Sequence, residues 1–327
     1  MTDLVPRPVD PVIPLALSGG TDIPALASWL VSDEGRRDPG VCQWINFLAA
    51  HYAQFRIIEE FFFAKLNPGR QGMKDQLCIH TAPEEMLVIA NHLFILRSYG
   101  IEGCVLECGC FKGYSSCCLS IACRRLGYPL VIADSFTGLP AVPHEVGEDR
   151  YYQVGDFAGA RVEVEQNLRT FGDPLGVELV EGWFSDTLKE WDRPLALLWL
   201  DVDLWSSTMD VLNPCLPALD PRGAIFSHEF HPESIKDSKI IETKEVAGAI
   251  ARVMQEYDPD YRAAFTRGNL AIVGRRTSLC LQSYRLVNEL VSELNSIGVR
   301  WKAITRSRLS RYARKVAGKA GVLGRHA

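Results

Sequence analysis

The chain has 327 residues, 47% of them hydrophobic and 23% charged, and a formal net charge of −5. It shows no apolar run long enough to cross a bilayer and no signal-peptide pattern at its N-terminus, so we expect a cytoplasmic protein. From residue 300 onward there are nine Lys or Arg residues and no acids, which leaves 26 basic against 40 acidic residues in the rest. An acidic body argues against a nucleic-acid partner.

The first 79 residues are predicted to form an arm and a helical segment. Residues 1–40 are rich in Pro and Gly, as in an extended arm. Apolar residues then recur at helical spacing from Trp44 to Phe63, which predicts an amphipathic helix with a wide aromatic stripe. Such a stripe belongs in the core or in a subunit contact, and it favours a homo-oligomer. A capping box from Thr81 to Glu84 predicts the start of the next helix.

A nucleoside site is predicted where a strand, a glycine turn, a helix and a second strand follow one another. The first apolar run ends in Glu107, the chain turns through Gly109 and Gly113, and a helix opens at Ser115. The second run ends in Asp134. Glycines let the backbone approach a ligand, and a carboxylate at this strand end can accept hydrogen bonds from both ribose hydroxyls.

The glycine spacing helps to identify the nucleoside. A dinucleotide site needs G-x-G-x-x-G, whereas this turn is G-x-x-x-G with bulky residues between its glycines. A phosphate loop is also absent from this stretch of sequence. The acid two residues before the first glycine would repel a phosphate but suits the ammonium group of a methionine tail. S-adenosylmethionine therefore fits better than NAD or ATP.

Strands and helices continue to alternate after this unit, which predicts an α/β fold with a doubly wound, mostly parallel sheet. Further strands are expected in VELVEGWF, LALLWLDVDLW, AIFSHEF and NLAIVGR. After the first two strands and before these, the polar loop 137–160 is predicted to be a lid. Its His144, Glu145, Tyr151 and Tyr152 are expected either to contact an acceptor or to be solvated.

Acidic residues and a histidine follow two strands that are expected to be neighbours. Asp201 and Asp203 end LLWLDVD, and His228 and Glu229 end IFSHEF. Such a cluster can bind a divalent metal, which would lower the pKa of a coordinated alcohol. The alternative is that Asp203 caps the next helix and that His228 is a satisfied, half-buried side chain.

The chain has ten cysteines, six of them between Cys104 and Cys123. Their spacings are irregular and include no pair of CxxC knuckles, as a zinc or iron–sulfur site would require. We therefore expect small buried hydrophobic residues in a reducing compartment.

Taken together, several motifs resemble the macrocin O-methyltransferase family, whose members methylate sugar hydroxyls on antibiotics and related glycosides. They cover about residues 80–275. In order they are VLECGCFKGYSS, IADSFTGLP, GDFAGARVEVEQNL, VEGWFSDTL, LDVDLWSSTMDVL and PRGAIFSHEF. The resemblance implies a seven-stranded, Rossmann-like class I methyltransferase domain over residues 80–278. It also implies S-adenosylmethionine as the methyl donor and a small-molecule or glycosylated acceptor.

The resemblance also implies roles for individual residues. Glu107 would face the methionine end of the donor. Asp134, followed by Ser135, would bind its ribose, and Gly182 with Trp183 its adenine. Asp201 would correspond to an aspartate that binds metal and acts as the base.

One position departs from the family, which usually carries two aspartates after the later strand to complete a magnesium site. Here the pair is His228-Glu229, and histidine is a poor magnesium ligand but a good one for transition metals. Three interpretations stay open: an altered metal preference, a site with fewer protein ligands, or no metal. Without a metal, His228 could be the general base, because its unperturbed pKa lies near neutrality.

Two other functions are compatible with the sequence. One is an NAD-type Rossmann oxidoreductase, and the other is a catalytically silent nucleoside-binding or assembly protein. The C-terminal segment 279–327 is predicted to be a helical basic tail. It could make a peripheral membrane contact, dock on an acidic patch, or be disordered.

Overall fold

A computed structural model describes residues 22–66, 81–141, 152–230, 235–236, 239–240, 246–266 and 270–296. The helices are α1 (Ile23–Val31), α2 (Pro39–Leu66), α3 (Pro83–Ser98), α4 (Tyr114–Leu126), α5 (Arg161–Phe171), α6 (Phe184–Thr187), α7 (Trp205–Cys215), α8 (Val246–Tyr257) and α9 (279–296). The strands are β1 (Cys104–Cys108), β2 (Leu130–Asp134), β3 (Val177–Glu181), β4 (Leu195–Leu200), β5 (Leu219–Ser227), β6 (Ile235–Lys236), β7 (Lys239–Ile240), β8 (Tyr261–Phe265) and β9 (Ala271–Arg275).

Seven of these strands form one sheet in the order β3-β2-β1-β4-β5-β9-β8. Strands β1 to β5 pair in parallel, while β9 runs antiparallel to both β5 and β8. The order reverses direction at β1, from which β2 and β3 extend to one side and β4 and β5 to the other. The predicted α/β class with a doubly wound, mostly parallel sheet is therefore confirmed. The edge strand β8 has no counterpart among the strands predicted from the residues.

The sheet separates two apolar layers, because successive strand residues point to opposite faces. Val105 and Trp199 join the layer that contains α1 to α4 and α9. Their neighbours Leu106 and Leu198 join the layer on the other face, with α7 and α8. Strands buried on both faces explain the continuous apolar runs in the sequence.

The aromatic stripe of α2 lies inside the chain. Trp44, Phe55 and Phe62 are almost completely buried, and α2 packs against α3 and α4. The Trp44 Nε1–H group donates a hydrogen bond of 2.8 Å to Asn91 Oδ1 on α3. The stripe that favoured a subunit contact is thus covered within a single chain.

Helix α3 starts one residue later than the capping box predicted. Pro83 takes the first helical position, where its fixed φ and missing N–H suit the helix. The carboxylate that reaches back is therefore Glu85, whose Oε2 accepts a hydrogen bond of 2.6 Å from the Ala82 N–H. The predicted pairing of Thr81 with Glu84 is wrong, and Glu84 instead accepts a hydrogen bond of 2.6 Å from the Tyr52 hydroxyl.

Other predictions from the sequence have mixed outcomes. Eight of the nine cysteines among the described residues are buried, which confirms their role as small hydrophobic residues. No helix in the described ranges is long and apolar enough to cross a membrane.

Two predictions fall outside the described part of the chain. They concern the basic tail from residue 300 and the lid residues His144, Glu145 and Tyr151.

The ends of β1 and β4 approach each other closely. The Asp201 N–H donates a hydrogen bond of 3.1 Å to the Cys108 carbonyl. Gly109 follows with a φ of 82°, and a Cβ atom at this residue would lie 1.8 Å from the Asp201 carbonyl oxygen. Only glycine satisfies both conditions, so the glycine turn and Asp201 are held together by backbone contact.

Replacing Gly109 with alanine tests this contact. Gly100 is a matched control, because it has a φ of 68° but open space where a Cβ would lie. We expect Gly100→Ala to lower the free energy of unfolding by about 1 kcal/mol, the cost of a left-handed backbone. Gly109→Ala should cost about 3 kcal/mol or more, since overpacking is added. Urea unfolding followed by circular dichroism measures both, and equal losses would contradict the proposed close contact.

Candidate active site

A cavity of about 710 Å³ opens at the carboxyl ends of the parallel strands. This is the edge at which open α/β sheets bind their ligands, and the volume suits a ligand of nucleoside size or larger. Its lining includes two groups that the sequence placed far apart. They are Gly109, Asp134 and Trp183, from the predicted nucleoside site, and the acidic and histidine residues Asp201, His228 and Glu229.

Asp134 organises the predicted nucleoside site through its hydrogen bonds. Its Oδ2 accepts a hydrogen bond of 2.7 Å from the Cys110 N–H in the glycine turn. Its Oδ1 accepts another of 2.7 Å from the Phe136 N–H. Each carboxylate oxygen has two lone pairs, so both can still accept a bond from a ribose hydroxyl. Ser115 and Ser135 also line the cavity.

Glu107 and Gly113 lie before and within the glycine turn and do not reach the cavity. Glu107 is fully buried and accepts a hydrogen bond of 2.5 Å from the Ser115 hydroxyl, while no described residue bonds its Oε2. Burial raises the pKa of Glu107 to about 8. Gly113, with a φ of 85°, is the N-cap of α4. Neither residue is among the described residues that line the cavity.

Gly182 and Trp183 lie where β3 ends beside Asp134. The Gly182 N–H donates a hydrogen bond of 3.0 Å to the Asp134 carbonyl, and its φ is 141°. Trp183 lines the cavity and is 40% exposed, which is unusual for so large an apolar ring. An indole free on one face can stack on a planar base.

Asp201, His228 and Glu229 converge at the ends of β4 and β5. One potential ligand atom of each lies within 4.8 Å of the others. Burial, followed by the charge of Glu229, raises the pKa of Asp201 to about 7. Burial alone would lower the pKa of His228, but the hydrogen bond to Glu85 and the charge of Asp201 raise it overall. Such a cluster can accept a proton or hold a cation.

The donor set of this cluster fits a divalent metal. Two carboxylates and one imidazole offer oxygen and nitrogen ligands together, a mixture that suits transition metals more than Mg²⁺. The close spacing of the three ligand atoms is compatible with a single ion.

Asp203 does not cap helix α7. The N-cap position is Leu204, and no side chain caps that helix end. Asp203 instead lines the cavity with a left-handed backbone, φ 61°. Burial and the charge of Asp201 raise its pKa to about 8. The interpretation of Asp203 as a helix cap is therefore wrong.

The returning limb of the loop after β2 closes one wall of the cavity. Gly155 N–H and Leu139 C=O form a backbone hydrogen bond of 3.0 Å, and the Leu139 N–H donates one of 2.9 Å to Asp156. The Phe157 ring packs edge-on against Phe111 of the glycine turn, with centroids 6.2 Å apart. This limb is thereby anchored to the glycine turn. Tyr152 lies in the same wall.

Some residues of the site were not predicted. Asp156 and Phe157 line the cavity and lie in GDFAGAR, part of a motif that resembles the family, so that motif could have identified them. Phe62 and Thr81 reach the cavity from outside the α/β unit and had no signal of their own. Glu85 Oε2 lies 3.4 Å from His228 Nε2. This contact could not be predicted, because it depends on the residue at which α3 starts.

Comparison with known proteins gives matches in the same part of the chain. The model of the family described as Macrocin-O-methyltransferase (TylF) matches residues 86–243. A Streptomyces olivaceus protein named 8-demethyl-8-(2,3-dimethoxy-alpha-L-rhamnosyl)-tetracenomycin-C 4'-O-methyltransferase is 30% identical over 151 residues, 42% of this chain and 57% of that protein. The Mycinamicin III 3''-O-methyltransferase of Micromonospora griseorubida is 31% identical over 140 residues, 38% of this chain and 54% of that protein.

Among solved structures, the O-methyltransferase NovP superposes with a TM-score of 0.56 at 19% identity, over 70% of this chain and 98% of that one. That likeness supports the fold. The chain spans little more than half the length of the curated relatives that it matches. The matched segment contains β1 to β5, the glycine turn and the Asp201–His228–Glu229 cluster. Residues 86–243 of this chain are thus similar to the macrocin-O-methyltransferase family.

Proposed function

We propose that the protein is an S-adenosylmethionine-dependent O-methyltransferase that acts on a sugar hydroxyl of a glycosylated metabolite. One observation carries this proposal: a single cavity contains both the nucleoside carboxylate Asp134 and the proton-accepting cluster around Asp201. The curated relatives, which are named as methyltransferases of glycosylated natural products, support the choice of acceptor.

The nucleoside side would bind the methyl donor. Asp134 would accept hydrogen bonds from the ribose hydroxyls, and Trp183 would stack on the adenine. The glycine turn would let the backbone approach the methionine portion. Burial beneath that turn raises the pKa of Glu107 to about 8, and a sulfonium bound nearby would favour its ionised form.

The cluster of Asp201, His228 and Glu229 would supply the base. The acceptor hydroxyl would lose its proton to Asp201 or His228 as its oxygen forms a bond to the methyl carbon. The carbon–sulfur bond breaks at the same time, and its electron pair remains on the sulfur of S-adenosylhomocysteine. The chain contributes by aligning these atoms and by excluding water with residues such as Val202 and Phe157.

Asp201, His228 and Glu229 would also hold a divalent metal. A bound metal would lower the pKa of a coordinated hydroxyl. Because one of the ligands is an imidazole, we propose Mn²⁺, Co²⁺ or Zn²⁺ in preference to Mg²⁺.

Aromatic and acidic side chains of the cavity wall would contact the acceptor. Phe157 and Tyr152 have ring centroids 6.0 Å apart and offer apolar faces to a sugar ring. Asp156 and Asp203 line the same cavity and offer carboxyl oxygens to neighbouring hydroxyls. These residues suit an uncharged sugar.

An NAD-dependent oxidoreductase is a weaker candidate, because the turn lacks the third glycine that a pyrophosphate site needs. A silent nucleoside-binding protein would keep Asp134 but would not need the Asp201 cluster. Binding of S-adenosylhomocysteine but not NADH would exclude the oxidoreductase. Measurable methyl transfer would exclude the silent binding protein.

Variants of the cluster test the proposed reaction. We expect Asp201→Ala, and the double variant His228→Ala/Glu229→Ala, each to lower methyl transfer by roughly 100-fold or more, the scale of a general base. The assay follows a labelled methyl group from S-adenosylmethionine into a panel of glycosides that includes rhamnosylated polyketides. Calorimetry with S-adenosylhomocysteine should show unchanged affinity. Undiminished transfer in both variants would contradict the proposal.

A substitution at Asp134 tests the donor site. Asp134→Ala removes charge-assisted hydrogen bonds, each contributing about 1.5–3 kcal/mol, so the affinity for S-adenosylhomocysteine should fall about 10- to 100-fold. Asp173→Ala is the control, because Asp173 also accepts a backbone hydrogen bond, from the Leu175 N–H, but lies outside the cavity lining. Calorimetry should find the control at wild-type affinity, and similar losses in both variants would rule out a specific role for Asp134.

The burial of Glu107 predicts a pH-dependent stability difference. Its pKa is raised to about 8 in the folded chain, so between pH about 4.5 and 8 the folded state binds more protons than the unfolded state. This contribution to stability falls by up to about 1.4 kcal/mol per pH unit as pH rises through that window. Glu107→Gln should therefore gain stability relative to wild type as pH increases. Urea unfolding at several pH values checks this, and a constant difference would contradict it.

A further inference from the structure

A buried carboxylate on α3 faces the histidine of the cluster. Glu85 Oε2 lies 3.4 Å from His228 Nε2, and both side chains are more than nine-tenths buried. The same oxygen accepts a hydrogen bond of 2.6 Å from the Ala82 N–H. Glu85 is therefore fixed to the start of its own helix while it contacts a residue that follows β5.

This contact determines how the ring can be used. A neutral imidazole carries one N–H, and its other nitrogen offers a lone pair. A carboxylate is an acceptor, so it favours the tautomer in which Nε2 carries the proton. The lone pair is then on Nδ1, on the opposite side of the ring. Partner carboxylates that orient a histidine in this way are common behind metal ligands and catalytic bases.

We propose that Glu85 is a positioning residue that fixes the Nε2–H tautomer of His228 and so leaves the lone pair on Nδ1. The use of that lone pair, to accept a proton or to bind a metal, rests on the proposed function. The positioning itself does not, because it follows from the contact between Glu85 and His228.

The surroundings of His228 support this assignment. Acidic residues near the ring come from three elements: Glu85 on α3, Asp201 and Asp203 after β4, and Glu229 after β5. Of these, Glu85 is the one whose oxygen lies at a hydrogen-bonding distance from Nε2. It is also tied to backbone, so it cannot turn away without breaking the cap of α3.

The same helical turn offers a matched control. Glu84 is the preceding residue and accepts a hydrogen bond from Tyr52, away from the cavity. Glu85→Met removes the oxygen that contacts both the ring and the Ala82 N–H, and it keeps an unbranched side chain of similar length. Glu84→Met makes the same chemical change outside the site.

Nitrogen NMR of the full chain labelled with ¹⁵N-histidine tests the positioning without activity or metal. The chain has seven histidines, and His228→Asn assigns the signal. At a pH where the ring is neutral, wild type and Glu84→Met should show the Nε2–H tautomer. Glu85→Met should show a mixture or the other tautomer. The Nδ1–H form in wild type, or an unchanged tautomer in Glu85→Met, would overturn the proposal.

Binding of Co²⁺ gives a second readout. Loss of a partner carboxylate behind a metal ligand costs about 10- to 100-fold in affinity, and we expect this of Glu85→Met but not of Glu84→Met. Binding of S-adenosylhomocysteine at wild-type affinity shows that the variant is folded. If wild type binds neither S-adenosylhomocysteine nor Co²⁺ but the tautomer shifts as expected, the proposed function fails and the positioning role of Glu85 stands.

Discussion

The backbone contact between Gly109 and Asp201 determines how the site is built. A parallel sheet brings the ends of β1 and β4 together, and the absence of a side chain at Gly109 lets the two turns touch. The turn that precedes α4 and the acid that follows β4 consequently share one cavity. The proposed methyl transfer would need this proximity, because a methyl group is transferred only over a short, aligned path.

The second property of the site is its concentration of buried carboxyl groups. Burial raises the pKa of Glu107, Asp201 and Asp203 toward neutrality or above it. Ionised carboxylates are costly in such surroundings unless a cation is near. A sulfonium on one side and a metal ion or the imidazolium of His228 on the other would each offset part of that cost. The site is therefore suited to ligands that bring positive charge.

Sequence predicted the parts of this arrangement that depend on local pattern. The apolar runs that end at Asp134 and Asp201 become β2 and β4, and the alternation of strands and helices gave the correct class of sheet. The edge strand β8 was missed because YRAAF is short, rich in alanine and only partly buried. The contact of Glu85 with His228 could not be predicted, since it depends on the packing of α3 beside β5 and on Pro83 fixing the first position of that helix.

A crystal structure of the complex with S-adenosylhomocysteine is the most direct measurement of whether donor and base face each other. The proposed function predicts ribose hydroxyls on Asp134 and a sulfur atom turned toward the space between Asp201 and His228. A ribose bound away from Asp134, or a sulfur turned away from the cluster, would contradict it.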